Sequence, residues 1–130
     1  MNKQENKFED LSNKIIGAAI EVHKILGPGF IESVYHNALK KELELKEIPF
    51  ETEKEIKINY KNNEVGTHRL DLIIEDQIIV ELKAVENISK VHIAQVISYM
   101  KATGLGITLI LNFSKTKVEI RRITPKTIVK

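Results

Sequence analysis

The sequence predicts a single α/β domain, a mixed sheet flanked by helices in the order α-α-β-β-β-α-β-β. Three observations carry this. Apolar residues recur at intervals of three and four over residues 8–26, 31–46 and 89–102, the period of a buried helix face. Elsewhere the period falls to two, or the residues run continuously apolar, as strands do. No stretch rich in Pro, Gly or Ser divides the 130 residues, and no repeat recurs, so one domain accounts for the chain. Residues 1–10 are expected to be a flexible N-terminal segment and residues 124–130 a tail.

The first helix carries Leu11, Ile15, Ala18, Ala19, Val22, Ile25 and Leu26 at helical spacing. Gly27-Pro28-Gly29 stops it, because Pro lacks the amide donor and Gly relaxes the backbone. The second helix is expected to bury Ile31, Val34, Tyr35, Ala38, Leu39 and Leu43. Ile48-Pro49 ends it, and residues 50–60 alternate as a strand. Lys61-Asn62-Asn63-Glu64 reads as a turn. Residues 65–75 form a second strand, Asp76-Gln77 a short turn, and residues 78–85 a third strand. Connections this short imply an antiparallel meander. The third helix starts with Ser89 or Asn87 as N-cap and ends at Gly104 and Gly106. Residues 106–113 are almost wholly apolar, which suits a strand covered on both faces. Residues 117–123 alternate again, as an edge strand.

Composition narrows the chemistry. There is no Cys, so disulfides, thiolate nucleophiles, zinc ribbons and iron–sulfur clusters are excluded. There is no Trp, and aromatics are 5% of the chain, which argues against an extended base-stacking platform. No apolar run approaches the ~20 residues of a membrane span, and the polar N-terminus has no signal-peptide core. A cytoplasmic protein without a membrane partner is the expectation. The net charge of +2 is too small to imply a polyanionic partner. Its distribution is uneven: residues 114–130 hold Lys115, Lys117, Arg121, Arg122, Lys126 and Lys130 against Glu119, so the remainder is acidic. A basic edge beside an acidic body suits a site that holds a cation and meets a polyanion. A solvated terminal strand is the plainer account.

The chemistry-bearing residues sit on two neighbouring strands, Arg69-Leu70-Asp71-Leu72 and Val80-Glu81-Leu82-Lys83. Glu81 and Lys83 share a strand face. Acids and a lysine inside such apolar strands are costly unless paired or metal-bound. Two carboxylates converging from adjacent strands can hold Mg²⁺ through oxygen. A cation there polarises a phosphoryl oxygen, and a nearby lysine orients or deprotonates water. The pattern therefore supports metal-assisted phosphodiester hydrolysis by Asp71, Glu81 and Lys83. The competing account is a structural Asp–Lys–Glu salt-bridge cluster.

Other residues are candidates for the same site. Glu32, with Tyr35 and His36 on one side of the second helix, is a possible third acid, or else a solvent-facing Glu. Gln95 and Tyr99, at i and i+4, can both donate to a phosphate, or form a polar stripe. His23 and His36 read as ordinary helix-surface residues, and His92 is open. There is no P-loop, dinucleotide-binding fingerprint, nucleophile elbow or H-E-x-x-H.

The ordered set Gly29-Phe30-Ile31-Glu32-Ser33-Val34-Tyr35, Arg69-Leu70-Asp71, Glu81-Leu82-Lys83-Ala84, Gln95-x-x-x-Tyr99 and Lys101-Ala102-Thr103-Gly104 resembles the GxxExxY family, a branch of the PD-(D/E)XK nuclease superfamily. The resemblance spans residues 15–123. It implies a restriction-endonuclease-like core. It implies that Asp71 and Glu81 bind Mg²⁺ or Mn²⁺ with the Leu82 carbonyl, that Lys83 works on the water, and that Glu32 is the acid from the helical region. Gln95 and Tyr99, with Arg69, are the expected nucleic-acid contacts. Leu70 stands where the superfamily's name has Pro. The expectation is a Mg²⁺-dependent deoxyribonuclease, for which a homodimer would help to span two strands. The alternative is a non-catalytic nucleic-acid-binding or partner module on the same scaffold.

Overall fold

The structure, a computed structural model, describes residues 3–124, with side chains described from residue 8 onward. The element order is α1 (Lys3–Leu26), α2 (Glu32–Leu45), β1 (Phe50–Tyr60), β2 (Asn63–Ile74), β3 (Ile78–Lys83), α3 (Lys90–Thr103), β4 (Ile107–Asn112) and β5 (Glu119–Ile123). Helix α1 starts ahead of the Phe8 read from periodicity. Residues 3–10 are rich in Lys, Glu and Gln, which extend a helix by propensity without an apolar repeat.

The five strands lie side by side in sequence order. The expected meander β1-β2-β3 is antiparallel throughout. Strands β3 and β4 are parallel, because α3 carries the chain back across one face between them. Strand β5 returns antiparallel to β4. One core packs α1 and α2 on Leu72, Ile74, Ile78, Val80, Leu82, Leu109 and Leu111. A second core packs α3, through Val96 and Met100, on Leu70, Ile73, Ile79 and Ile110. Burial on both faces explains why all six residues of β4 are buried and why it reads as continuously apolar.

The ends of the elements follow local chemistry. Gly27, at φ 72°, bonds its N–H to the His23 carbonyl at 2.8 Å, and Gly104, at φ 77°, does the same to Met100 at 2.8 Å. Ser89 caps α3, accepting from the His92 N–H, while His92 Nδ1 accepts the Ser89 N–H. Lys61 and Asn62 both take positive φ, so the first hairpin closes in two residues and β2 begins at Asn63. The second hairpin turns through Glu75 and Asp76, both also at positive φ, so β2 ends at Ile74.

Several expected burials are corrected. Ile25 and Ile31 are both 71% exposed. Ile25 lies on the outer side of the last turn of α1, and Ile31 is the N-cap of α2, outside its helical face. His23 is buried rather than superficial: it stacks on Phe113 and its Nε2 bonds the Lys115 carbonyl at 2.8 Å. Strand β3 stops at Lys83. The Asn112 side chain then takes over from the ladder, donating to the Val85 carbonyl at 2.8 Å and accepting its N–H at 3.0 Å. Of the basic tail, Arg121 and Arg122 are exposed on β5, Lys115 pairs with Glu119, and Lys126 and Lys130 lie outside the described residues.

Candidate active site

The site forms where two strands part. Strands β2 and β3 pair at Leu72–Val80, Ile73–Ile79 and Ile74–Ile78. Just beyond, Asp71 and Glu53, its neighbour on β1, are skipped in the β1–β2 register, and Glu53 takes φ 52°. Both strands change face there: Leu72 packs with α1 and α2, whereas Leu70, two residues away, packs with α3. Strict alternation across 70–72 therefore fails. The Asp71 carboxylate occupies the gap, and its Oδ2 accepts the Leu82 N–H at 2.9 Å. A strand residue turns its N–H and C=O to the same neighbour, so the Leu82 carbonyl faces the same gap.

Glu81 lies beside Asp71, and the two carboxyls are hydrogen-bonded to each other. Glu81 is 6% exposed, and its Oε1 is buried without a hydrogen-bond partner. Burial above all, then the Asp71 charge and the bond between the acids, push the Glu81 carboxyl up to about 8, against the pull of Lys83. Near neutral pH the Glu81 carboxyl therefore favours its protonated form. A structural salt-bridge cluster would look different. Among the described residues the ion pairs are Lys54–Glu51, Lys57–Glu64 and Lys115–Glu119, and Lys83 is in none of them.

These groups fit a hard divalent cation. The donors are all oxygens, two acids sit side by side, and one buried carboxylate oxygen is unclaimed by any protein donor. Among the described residues no three of His, Cys, Asp and Glu gather into a complete cage. The remaining coordination positions would fall to the Leu82 carbonyl, water and substrate.

Of the other predicted residues, Glu32 and Tyr99 interact with this pair electrostatically, whereas Gln95 and Arg69 have no described hydrogen bond or ion pair to it. Glu32, the first residue of α2, keeps access to water, yet it feels Lys83, Asp71 and His92. Partial desolvation raises its pKa first of all, Asp71 adds to this, and Lys83 and His92 oppose it. It stands at the rim of the site. Tyr35, by contrast, points into the core and stacks on Phe113 with centroids 4.6 Å apart, so it does not share Glu32's side of α2. Tyr99 looks onto the acids from α3, and its hydroxyl pKa is raised by burial and by the charges of Glu81 and Asp71. Gln95 is exposed one turn earlier on α3. Arg69 is exposed on β2, opposite Glu55.

Three supporting residues escaped the sequence reading. His36, taken for a surface residue, reaches the Asp71 main-chain carbonyl through Nε2 at 3.2 Å and Thr52 at 3.4 Å. His68 stacks flat on Tyr99, with centroids 4.0 Å apart and planes 16° apart. Asn112 tethers the chain just after Lys83. The His36 spacing from Glu32 was the one signal available. Nothing local marks the other two, since their partners lie on distant elements.

A family model described as the PD-(D/E)XK nuclease superfamily matches residues 9–123. The chain belongs to the PD-(D/E)XK nuclease superfamily. Nucleases of this superfamily usually use divalent metals. Among solved structures, the crystal structure of SSO0001 superposes with a TM-score of 0.58 at 19% identity, over 74% of this chain and 50% of that one. That likeness is one of fold, and this chain spans about half the length of that protein. No curated protein matches the sequence. Among the described residues, no helix of this PD-(D/E)XK domain is long and apolar enough to cross a membrane.

Proposed function

We propose that the chain is a metal-dependent nuclease of the GxxExxY branch that hydrolyses phosphodiester bonds in DNA. The observation that carries the reading is the buried, partnerless Oε1 of Glu81 beside Asp71, with Lys83 left out of any described ion pair. Two acids forced together with no cationic side chain bonded to them destabilise a fold, and a divalent cation relieves that cost.

Asp71, Glu81 and the Leu82 carbonyl would hold Mg²⁺ or Mn²⁺. The ion supplies Lewis acidity at the phosphate and lowers the pKa of water. The protein residues do the rest. Glu81 gives up its proton to solvent, and its carboxylate and that of Asp71 serve as acceptors. Lys83, on the same strand face as Glu81, orients the attacking water and offsets negative charge on the phosphoryl oxygens. Water oxygen bonds to phosphorus as the phosphorus–oxygen ester bond breaks, and the leaving oxygen is protonated from solvent. Glu32 is a rim acid that accepts a proton from the water network. Tyr99, Gln95 and Arg69 contact the phosphate backbone, and His68 holds the Tyr99 ring in place.

The test is cleavage of duplex, single-stranded and branched DNA by purified protein with Mg²⁺ or Mn²⁺. The expected result is cleavage that chelator and Asp71→Ala both abolish. Activity that survives Asp71→Ala overturns the proposal.

A further inference from the structure

Asp71 is held at two points, and the second has no part in the chemistry described so far. Its carboxylate Oδ2 accepts the Leu82 N–H from β3 at 2.9 Å. Its main-chain carbonyl accepts from His36 Nε2 on α2 at 3.2 Å. In a regular ladder a strand carbonyl is taken by the neighbouring strand. Here it goes to a helix, at the place where the β1–β2 register skips Asp71 and Glu53 and where Leu70 and Leu72 pack on opposite faces of the sheet. The same nitrogen lies 3.4 Å from the Thr52 hydroxyl on β1, so one imidazole spans both strands at the break. A carbonyl can only accept. Nε2 therefore carries the hydrogen, and the ring nitrogen that faces Asp71 is not available as a cation ligand.

Helix α2 does not need His36 to hold its seat. It buries Tyr35, Leu39 and Leu43. Its start is fixed by the Tyr35 hydroxyl, which accepts the Phe30 N–H at 3.1 Å and donates to the Gly27 carbonyl at 2.7 Å. His36 is half-buried beside that face. We propose that His36 is a positioning residue for the cation site: by clasping the broken strand pair from α2, it keeps the Asp71 carboxylate turned toward Glu81 and Leu82 and so sets the affinity for a divalent ion. The proposal rests on the nuclease reading above. Strict alternation would place Leu70 and Leu72 on one face of β2 and Asp71 on the other. The strand departs from this at Asp71, and the His36 bond pins the carbonyl there. Without it the backbone is free to rotate back, and the carboxylate moves with it. Groups that orient a ligand from behind in this way are commonly worth about 10- to 100-fold in metal affinity.

The test reads the ion and the metal-free protein separately. Calorimetric Mn²⁺ affinity is measured for the whole chain as wild type, as His36→Phe, which keeps a ring without a donor, and as His36→Gln, whose amide N–H reaches as Nε2 does. Exchange of the Leu82 amide in chelator reports whether the Asp71 carboxylate stays in place. His36→Phe is expected to weaken Mn²⁺ binding roughly 10- to 100-fold and to speed Leu82 exchange, and His36→Gln to restore both. Ser89→Ala, which loosens the α3 cap instead, is expected to change neither. Mn²⁺ affinity or Leu82 exchange unaltered in His36→Phe overturns the proposal and leaves the nuclease reading intact. So does a loss that His36→Gln fails to restore or that Ser89→Ala shares, because such a loss follows stability alone. Wild type that binds no Mn²⁺ overturns the cation reading and the proposal with it. Should His36→Phe not fold, His36→Asn, whose amide is too short to reach the carbonyl, carries the same comparison.

Discussion

Asp71 performs two tasks that pull against each other. Its carboxylate substitutes for a missing ladder partner by taking the Leu82 N–H, and it lies against Glu81 closely enough to raise that acid's pKa. The sign of the pH dependence follows. Glu81 ionises near its ordinary value of 4.5 when unfolded and at about 8 when folded. The folded chain therefore binds the extra proton between these values, and its contribution to stability is complete below about 4.5 and lost as pH rises through about 8. In chelator, the stability of wild type relative to Glu81→Gln is expected to fall across that window, as read from urea midpoints at a series of pH values; parallel curves would contradict the raised Glu81 carboxyl. Lys83→Met is expected to lower the cleavage rate roughly 10²–10⁴-fold while calorimetric Mn²⁺ binding persists, since the lysine acts on water and not on the ion. Tyr35→Phe removes the hydroxyl that joins Gly27 to Phe30 and is expected to cost about 1–2 kcal/mol in chemical denaturation.

At the level of elements, β3 is the axis of the site. Its ladder to β2 stops at Val80, its ladder to β4 continues to Lys83, and the residues left over on its β2 side are the chemical ones. The Asn112 amide secures the strand's exit by bonding both polar groups of Val85, and it also donates to Glu119 at 3.1 Å. Asn112→Leu leaves the Val85 N–H without its partner, while the Val85 carbonyl keeps the Ser114 hydroxyl, and is expected to cost roughly 1–3 kcal/mol, with faster amide exchange in residues 84–89 than elsewhere. Unaltered exchange there would show that α3 alone holds the segment. Ser89→Ala removes the α3 cap and is expected to cost about 1 kcal/mol, without changing Mn²⁺ affinity.

At the scale of the whole molecule, two cores on opposite faces of one sheet seat α1 and α2 on one side and α3 on the other. Glu32 begins α2 and His92 lies in the first turn of α3, and His92 is among the groups that act on the Glu32 carboxyl. In the proposed reading the cation would be held by Asp71, Glu81 and the Leu82 carbonyl. Because such an ion binds the folded chain and not the unfolded one, Mn²⁺ at about 100 times its dissociation constant should add about 2.7 kcal/mol to stability. The melting midpoint of wild type is expected to rise with Mn²⁺ and that of Asp71→Ala to stay put, as followed by calorimetry.

The element order, the fully covered β4 and the Ser89 cap were all legible in the sequence. Each depends on neighbours within a few residues, where helical and strand periods are written directly into residue type. Asp71, Glu81 and Lys83 stood out in the sequence for a related reason, since charge inside an apolar strand is costly; the role proposed for them awaits the cleavage assay. Tertiary structure alone decided what those charges meet. It brought the two acids together instead of pairing either with Lys83, turned Tyr35 inward and left Ile31 outside, and set His68 on Tyr99 and Asn112 on Val85. Those outcomes depend on where the β2–β3 ladder opens and how two helical layers close over it, which are distances between elements that no local pattern encodes.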